Sequence, residues 1–187
     1  MSEGPPTEAP DAGHVRAKSV VVVNTGDGKG KSTAAFGVLL RASARDWKLA
    51  VVQFLKSGKW HVGEEEAARR LGVDWWSIGE GFTWDSDDLS EDEAVAKEAW
   101  AHARAVLGAG EHRLVVLDEL TYPINWGWID VSEVVDAIVH RPEHVNVVVT
   151  GRDAPAAIVD VADTVTEMVN VKHAFDRGVR ALRGIDY

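Results

Sequence analysis

Two short stretches of this 187-residue chain carry residue types whose spacing suits phosphate chemistry. The first is an apolar run and a glycine-rich turn, Val20-Val21-Val22-Val23-Asn24-Thr25-Gly26-Asp27-Gly28-Lys29-Gly30-Lys31-Ser32-Thr33. Its close, Gly30-Lys31-Ser32, matches the end of the phosphate-binding pattern G-x-x-x-x-G-K-[ST]. In that pattern glycines let successive backbone N–H groups turn toward phosphate oxygens, a lysine reaches the terminal phosphates, and a hydroxyl serves a magnesium ion. The helix that follows presents its N-terminal partial positive charge to the same anion. The pattern asks for glycine at position 25, where this chain has Thr25; the glycine comes one place later, at Gly26. Lys29 is a further cation in the turn, either a second phosphate contact or a solvated side chain.

The second stretch, Leu114-Val115-Val116-Leu117-Asp118-Glu119, ends four apolar residues in two acids. Taken alone, it reads equally well as a buried strand that happens to stop at acids. Downstream of Gly30-Lys31-Ser32 it reads as the acidic pair that sits beside magnesium and the terminal phosphates. Binding of ATP or GTP with Mg2+ (or Mn2+) is therefore expected, with Lys31 and Ser32 as the principal contacts. No Ser-His-Asp arrangement and no zinc-binding His-Glu-x-x-His pattern is visible. His61, His112 and His140 read as surface residues near element ends. His173, in Val171-Lys172-His173-Ala174-Phe175-Asp176, reads as either structural or functional. The glycine-hinged stretch 79–84 presents Phe82 and Trp84 on one side, for core packing or as an apolar wall for a large flat ligand.

The elements that must hold these residues follow from apolar patterning. Continuous β-branched or apolar runs predict strands at 19–24, 49–54, 73–78, 113–118, 145–150 and 164–169. Helices are predicted at 33–45, 62–71, 90–107, 131–141 and 154–161, the third opened by the Ser90–Glu93 capping-box spacing. Strands alternating with helices imply an α/β domain around a mostly parallel sheet. We expect a P-loop NTPase-like (RecA-like) three-layer sandwich. Residues 19–187 read as one domain, preceded by a tail, 1–18, holding Pro5, Pro6 and Pro10 among small and acidic residues, either a lid or an inert extension.

Composition narrows the partners. A formal net charge of −10 argues against broad nucleic-acid binding, which needs a basic footprint. The chain has no cysteine, so disulfides, thiol nucleophiles and thiolate metal sites are excluded. No apolar stretch approaches the roughly 20 residues of a membrane span, and the N-terminus lacks a secretory pattern; a cytoplasmic location is expected. Eight tryptophans are many for this length, which points to core, interface or flat ligand surfaces.

Further stretches stand in a fixed order around these motifs. They are Thr25 to Gly37 (TGDGKGKSTAAFG), Val52-Gln53-Phe54, Gly81-Phe82-Thr83-Trp84, Val116-Leu117-Asp118-Glu119-Leu120-Thr121-Tyr122, Thr150-Gly151-Arg152, Val171 to Asp176, and the closing Gly184-Ile185-Asp186-Tyr187. The series resembles the ATP:corrinoid adenosyltransferase family of the CobA/CobO/BtuR type, from residue 19 to the end. The resemblance implies that a corrinoid reduced to Co(I), cob(I)alamin or cob(I)yrinic acid a,c-diamide, attacks the 5′-carbon of ATP and releases triphosphate. It implies that Gly26, Asp27, Gly28, Lys29, Gly30, Lys31, Ser32 and Thr33 hold the nucleotide, bound in reversed direction, with Arg41 assisting. It implies Ser32 and Glu119 at magnesium with Asp118 behind them, and Phe82 and Trp84 displacing the lower axial ligand of cobalt. A homodimer and a flavoprotein reductase as electron donor are implied as well. Two features depart from the family: the N-terminal tail is short and Pro-rich where relatives often carry a basic helix, and Asp27 stands where many have asparagine. The readings that compete with transfer are a P-loop ATPase or kinase cleaving the β–γ bond, and a non-catalytic nucleotide- or corrinoid-binding module.

Overall fold

The computed structural model describes residues 16–55, 63–78 and 89–186. Among these residues six strands form: β1 (Val21–Thr25), β2 (Leu49–Gln53), β3 (Asp74–Ser77), β4 (Leu114–Asp118), β5 (Asn146–Thr150) and β6 (Thr164–Glu167). They pair in the order β3-β2-β4-β5-β1-β6, and every pairing is parallel. Each strand expected from the sequence is present, and the sheet is parallel throughout.

Parallel strands need crossover connections, and these put helices on both faces, so the strands must be apolar on both sides. Alternation then divides each run. Val116 of β4 and Val148 of β5 pack with Ala35, Leu39 and Ala42 of α1 (Lys31–Ser43) and Ala68 of α2 (Gly63–Arg70). Their neighbours Val115, Leu117, Val147 and Val149 pack with α3 (Leu89–Ala109), α5 (Val131–Val139) and α6 (Ala156–Asp160), through Ala99, Trp100, Ala103, Val134, Ile138 and Ile158. The result is the expected three-layer sandwich. All four residues of the edge strand β6 are exposed. Among the described residues no helix is long and apolar enough to cross a membrane.

Three local details differ from the sequence reading. α3 starts at Leu89, one residue before the expected cap Ser90. A short helix, α4 (Thr121–Asn125), was hidden by its Pro123; proline is tolerated there because first-turn N–H groups have no intrahelical partner. His112 is not at the surface. It is 5% exposed, and its Nε2 meets a carboxylate oxygen of Asp74 at 2.8 Å.

Candidate functional site

The glycine-rich turn runs from the end of β1 into α1, pressed against the exit of β6. The N–H of Gly28 donates to Met168 O at 2.6 Å, and that of Met168 to Thr25 O at 2.8 Å. Gly26 has φ +91°, and a Cβ built on it would lie 2.5 Å from Met168 O. One on Gly28 would lie 2.7 Å from the same atom. The glycines are thus required by the close approach of a second backbone. This gives the displaced glycine a cause, since position 26 is where the turn meets Met168. Gly30 caps α1 at φ 120° with no side-chain hydrogen bond and no acid in the first turn, so the helix dipole is left uncompensated by side chains there.

Lys31 is only 8% exposed, and its ammonium donates to the carbonyls of Gly26 and Gly28 at 2.8 and 2.9 Å. Burial lowers its pKa, and the nearby negative charges of Glu119 and Asp27 oppose that shift. Ser32 is half-buried and Thr33 exposed, both in the first turn of α1. The exposed Asp27 carboxylate faces Arg152, 3.5 Å away. Lys29 pairs with Asp186.

Below the turn lies a row of polar residues. Four strands finish apolar runs in a buried polar side chain: Asn24 (5% exposed), Gln53 (1%), Asp118 (0%) and Thr150 (0%). Register places Asn24 opposite Thr150, and Gln53 opposite both Asp118 and Ser77. Counting in twos from Val116 and Val148 puts Asp118 and Thr150 on the α1 face, where the turn begins. Gln53 Nε2 and Thr150 Oγ1 each donate to an oxygen of Asp118 at 2.8 Å. The Thr150 hydroxyl also accepts the Glu119 N–H at 2.9 Å. Asp118 is therefore braced from both sides, while Glu119, at φ +65°, turns out of the strand toward Lys31.

Valine at position 150 keeps the shape of threonine and removes both bonds, leaving an Asp118 oxygen and the Glu119 N–H without those partners. We expect Thr150→Val to lose about 2–3 kcal/mol of stability, against a smaller loss for Thr150→Ser. The measurement is a denaturant midpoint at unchanged m-value.

The segment after Thr150 is clamped to α4. Thr121 Oγ1 donates to Arg152 O at 2.5 Å, and Asn125 Nδ2 to Asp153 O at 3.1 Å. The clamp needs Gly151, where an added Cβ would fall 2.0 Å from Thr121 Oγ1. Tyr122 sits beside this junction. Burial first, and then the charge of Glu119, push its phenol above the usual tyrosine range. Its ring leads into Trp126 and Trp128, with centroid separations of 5.8 and 4.7 Å.

The structure thus brings together Gly26, Asp27, Gly28, Lys29, Gly30, Lys31, Ser32, Thr33, Asp118 and Glu119 at the carboxyl ends of β1 and β4. It does not bring Arg41 there. Arg41 lies about 15 Å along α1 from Lys31, exposed, lining a 320 Å3 cavity with Trp47 and Asn146 near the opposite ends of β4 and β5. Phe82 and Trp84 lie outside the described residues, as does the tail up to residue 15. His173 accepts the Phe175 N–H at 3.1 Å, a local turn contact. Gln53, Thr150, Arg152 and Asp186 had no assigned role from sequence. The available signal was that Gln53 and Thr150, like Asp118, are each the first polar residue after an apolar strand.

A parallel three-layer sandwich with a glycine turn closing on a helix N-terminus, and an acidic pair one strand removed, defines a P-loop nucleotide-binding protein. Residues 17–187 match the family model described as ATP:corrinoid adenosyltransferase BtuR/CobO/CobP. The chain belongs to that family of enzymes. It is 44% identical to the corrinoid adenosyltransferase of Escherichia coli K12 over 91% of this chain and 86% of that protein. It is 42% identical to the corrinoid adenosyltransferase CobA of Salmonella typhimurium, over 91% of this chain and 86% of that one. For the corrinoid adenosyltransferase of Pseudomonas aeruginosa the identity is 43%, over 91% and 84%.

Proposed function

We propose that this protein transfers the 5′-deoxyadenosyl group of ATP to the Co(I) centre of cob(I)alamin or cob(I)yrinic acid a,c-diamide and releases triphosphate. The Co(I) electron pair forms the bond to C5′ as the C5′–O bond breaks and its pair departs with triphosphate. No proton moves, so the step asks for no general base; it asks for alignment and for stabilisation of a highly charged leaving group. The observation that carries this reading is the turn itself, with Lys31 enclosed by its carbonyls in a chain matching the family from residue 17 to its end.

In this reading Lys31, Lys29 and the N–H groups of 26–33 other than that of Gly28, which Met168 O holds, grip the triphosphate, leaving the far end of the nucleotide open to cobalt. The Ser32 hydroxyl and the Glu119 carboxylate would hold Mg2+ (or Mn2+). Both are hard oxygen donors, and magnesium keeps waters and phosphate oxygens as its remaining ligands, so two protein donors suffice. When bound, the ion neutralises charge on the leaving phosphates. Among the described residues no group of three or more His, Cys, Asp or Glu offers a competing metal site. Asp118 supports Glu119 from behind, its oxygens engaged by Gln53 and Thr150.

In the same reading Phe82 and Trp84 would supply the apolar wall below the corrin ring and exclude an axial donor, which would ease reduction of Co(II) by an electron-donating flavoprotein. We expect Trp84→His to lower turnover from Co(II) about a hundredfold, through the axial ligand it restores, with chemically reduced Co(I) turned over almost normally. Parallel assays from the two oxidation states check this; equal loss in both removes the assigned role.

The same reading takes residues 19–187 as one domain behind a short tail, since all six strands share one sheet. It takes the protein as a cytoplasmic homodimer; the exposed Val171, Phe175 and Ile185 are apolar area that a second copy would cover. The deciding experiment is an anaerobic assay of ATP with reduced corrinoid, followed by the cobalt–carbon absorption spectrum and phosphate product analysis. Triphosphate with an adenosyl–cobalt product is expected. ADP and phosphate alone would make the protein an ATPase or kinase.

A further inference from the structure

The last residues of the described chain return to the turn that binds nucleotide. Lys29 is tied to Asp186, which lies 157 positions away in sequence. Asp186 is itself set in a closed turn. Its second carboxylate oxygen accepts the Leu182 N–H at 2.7 Å, and its own N–H donates to Leu182 O at 2.8 Å. The N–H of Ile185 donates to the same carbonyl at 3.0 Å. The carboxylate is thereby aimed by backbone and only then reaches Lys29. The Leu182 N–H and the Lys29 ammonium hold it below the usual aspartate range, so it is charged at neutral pH.

Two observations separate this pair from ordinary surface decoration. First, among the described residues the other hydrogen bonds of 170–186 are local, lying within 169–186, with the Val171 N–H donating back to Val169 O. Val171, Phe175, Leu182 and Ile185 are all more than half exposed, so the segment packs little against the domain. Second, an exposed ion pair contributes little to stability. With Lys29 46% and Asp186 26% exposed, the pair is poorly suited to hold the segment for its own sake. What it does hold is a lysine on a turn whose rear is already fixed by Gly28 on Met168. A lysine side chain is otherwise free to sample many rotamers in water, and a phosphate-binding charge that must first be ordered is a weaker one.

We propose that Asp186 is a positioning residue for the triphosphate: by pairing with Lys29 it keeps the turn's second ammonium beside the phosphate-binding N–H groups, and the C-terminal turn 182–186 completes the site. This rests on the reading of 26–33 as the grip on the leaving triphosphate. Phosphate oxygens would share Lys29 with Asp186, since an ammonium has three donors.

The test uses the full chain with magnesium-ATP and chemically reduced cobalamin. Asp186→Asn preserves the shape and an oxygen for the Leu182 N–H while removing the charge. It should raise KM for ATP about tenfold with KM for the corrinoid changed by less than about twofold, and Asp186→Glu should recover most of the loss. Lys29→Ala should show the same pattern, and the double variant should be no worse than Lys29→Ala alone, because one residue acts through the other. Additive penalties, an unchanged or lowered KM for ATP in Asp186→Asn, or failure of Asp186→Glu to recover it would overturn the proposal. The wild-type products keep the two readings apart. Wild-type ADP formation removes the proposed function, whereas wild-type triphosphate with an unaltered Asp186→Asn removes this inference alone.

Discussion

Lys31→Ala is expected to lower kcat/KM for ATP about a thousandfold, a loss of about 4 kcal/mol of transition-state stabilisation. Lys31 is the one lysine enclosed by the turn, and its ammonium sits between the carbonyls of Gly26 and Gly28. Triphosphate leaves as a polyanion, so a cation already placed at the turn acts more strongly on the departing charge than on intact ATP. The loss should therefore appear in kcat as well as in KM. The site also explains why arginine should not rescue. A guanidinium is larger and planar, and it cannot place a single compact charge between two carbonyls 2.8 and 2.9 Å from Nζ. Burial already disfavours the charged form of Lys31, with Glu119 opposing that effect, so the side chain contributes more to ligand than to fold. Thermal unfolding of Lys31→Ala should stay close to wild type. Steady-state assays with varied ATP and chemically reduced corrinoid check the kinetic part, and unchanged activity would contradict the phosphate role.

The second large effect is expected at Gly26. Alanine there must accept φ +91°, a left-handed conformation costing about 1–2 kcal/mol for a residue with Cβ. The new methyl would also stand 2.5 Å from Met168 O, 2.8 Å from Met168 N and 2.9 Å from Glu167 Cγ. Two of these are backbone atoms at the exit of β6, which cannot swing aside as a side-chain end would. The turn must therefore lift away from β6, carrying the carbonyls that hold Lys31. A displacement of about an ångström in a site of this kind is enough to cost about a hundredfold in activity, and we expect that loss in kcat/KM for Gly26→Ala. Gly37 is the control. It lies in α1, a Cβ there meets nothing within 4 Å, and Gly37→Ala should stabilise the protein by about 0.5–1 kcal/mol with activity retained. Equal activity in the two variants would show that the position of Gly26 is not what shapes the turn.

Asp186 reached the site by a different route from Lys31. Lys31 could be assigned from neighbours one and two positions away, because a turn that feeds a helix is a local structure. Asp186 could not. The closing Gly184-Ile185-Asp186-Tyr187 was visible as a motif of the resemblance, but an ion pair across 157 positions exists only once the chain has folded back on β6. The polar row under the turn lies between these cases. That Gln53, Asp118 and Thr150 each end an apolar run was legible. That they form one hydrogen-bonded row depends on β4 lying between β2 and β5, a strand order no single-chain pattern specifies.

The sequence by itself determined the six strands and every α-helix of the described residues but α4, because burial on both faces demands unbroken apolar runs and helices demand their own period. The phosphate-binding reading of the turn was legible for a similar reason: glycine, lysine and serine at adjacent positions act within one stretch of backbone. The tertiary structure decided which residues support that chemistry. It showed that the displaced glycine answers to Met168, that Asp118 is braced while Glu119 turns toward Lys31, and that Arg41 stands about 15 Å along its helix from the turn. The physical reason is common to all of these. Close approach, hydrogen bonding and charge pairing act through space over a few ångströms, and only strand order and register decide which distant residues come that near.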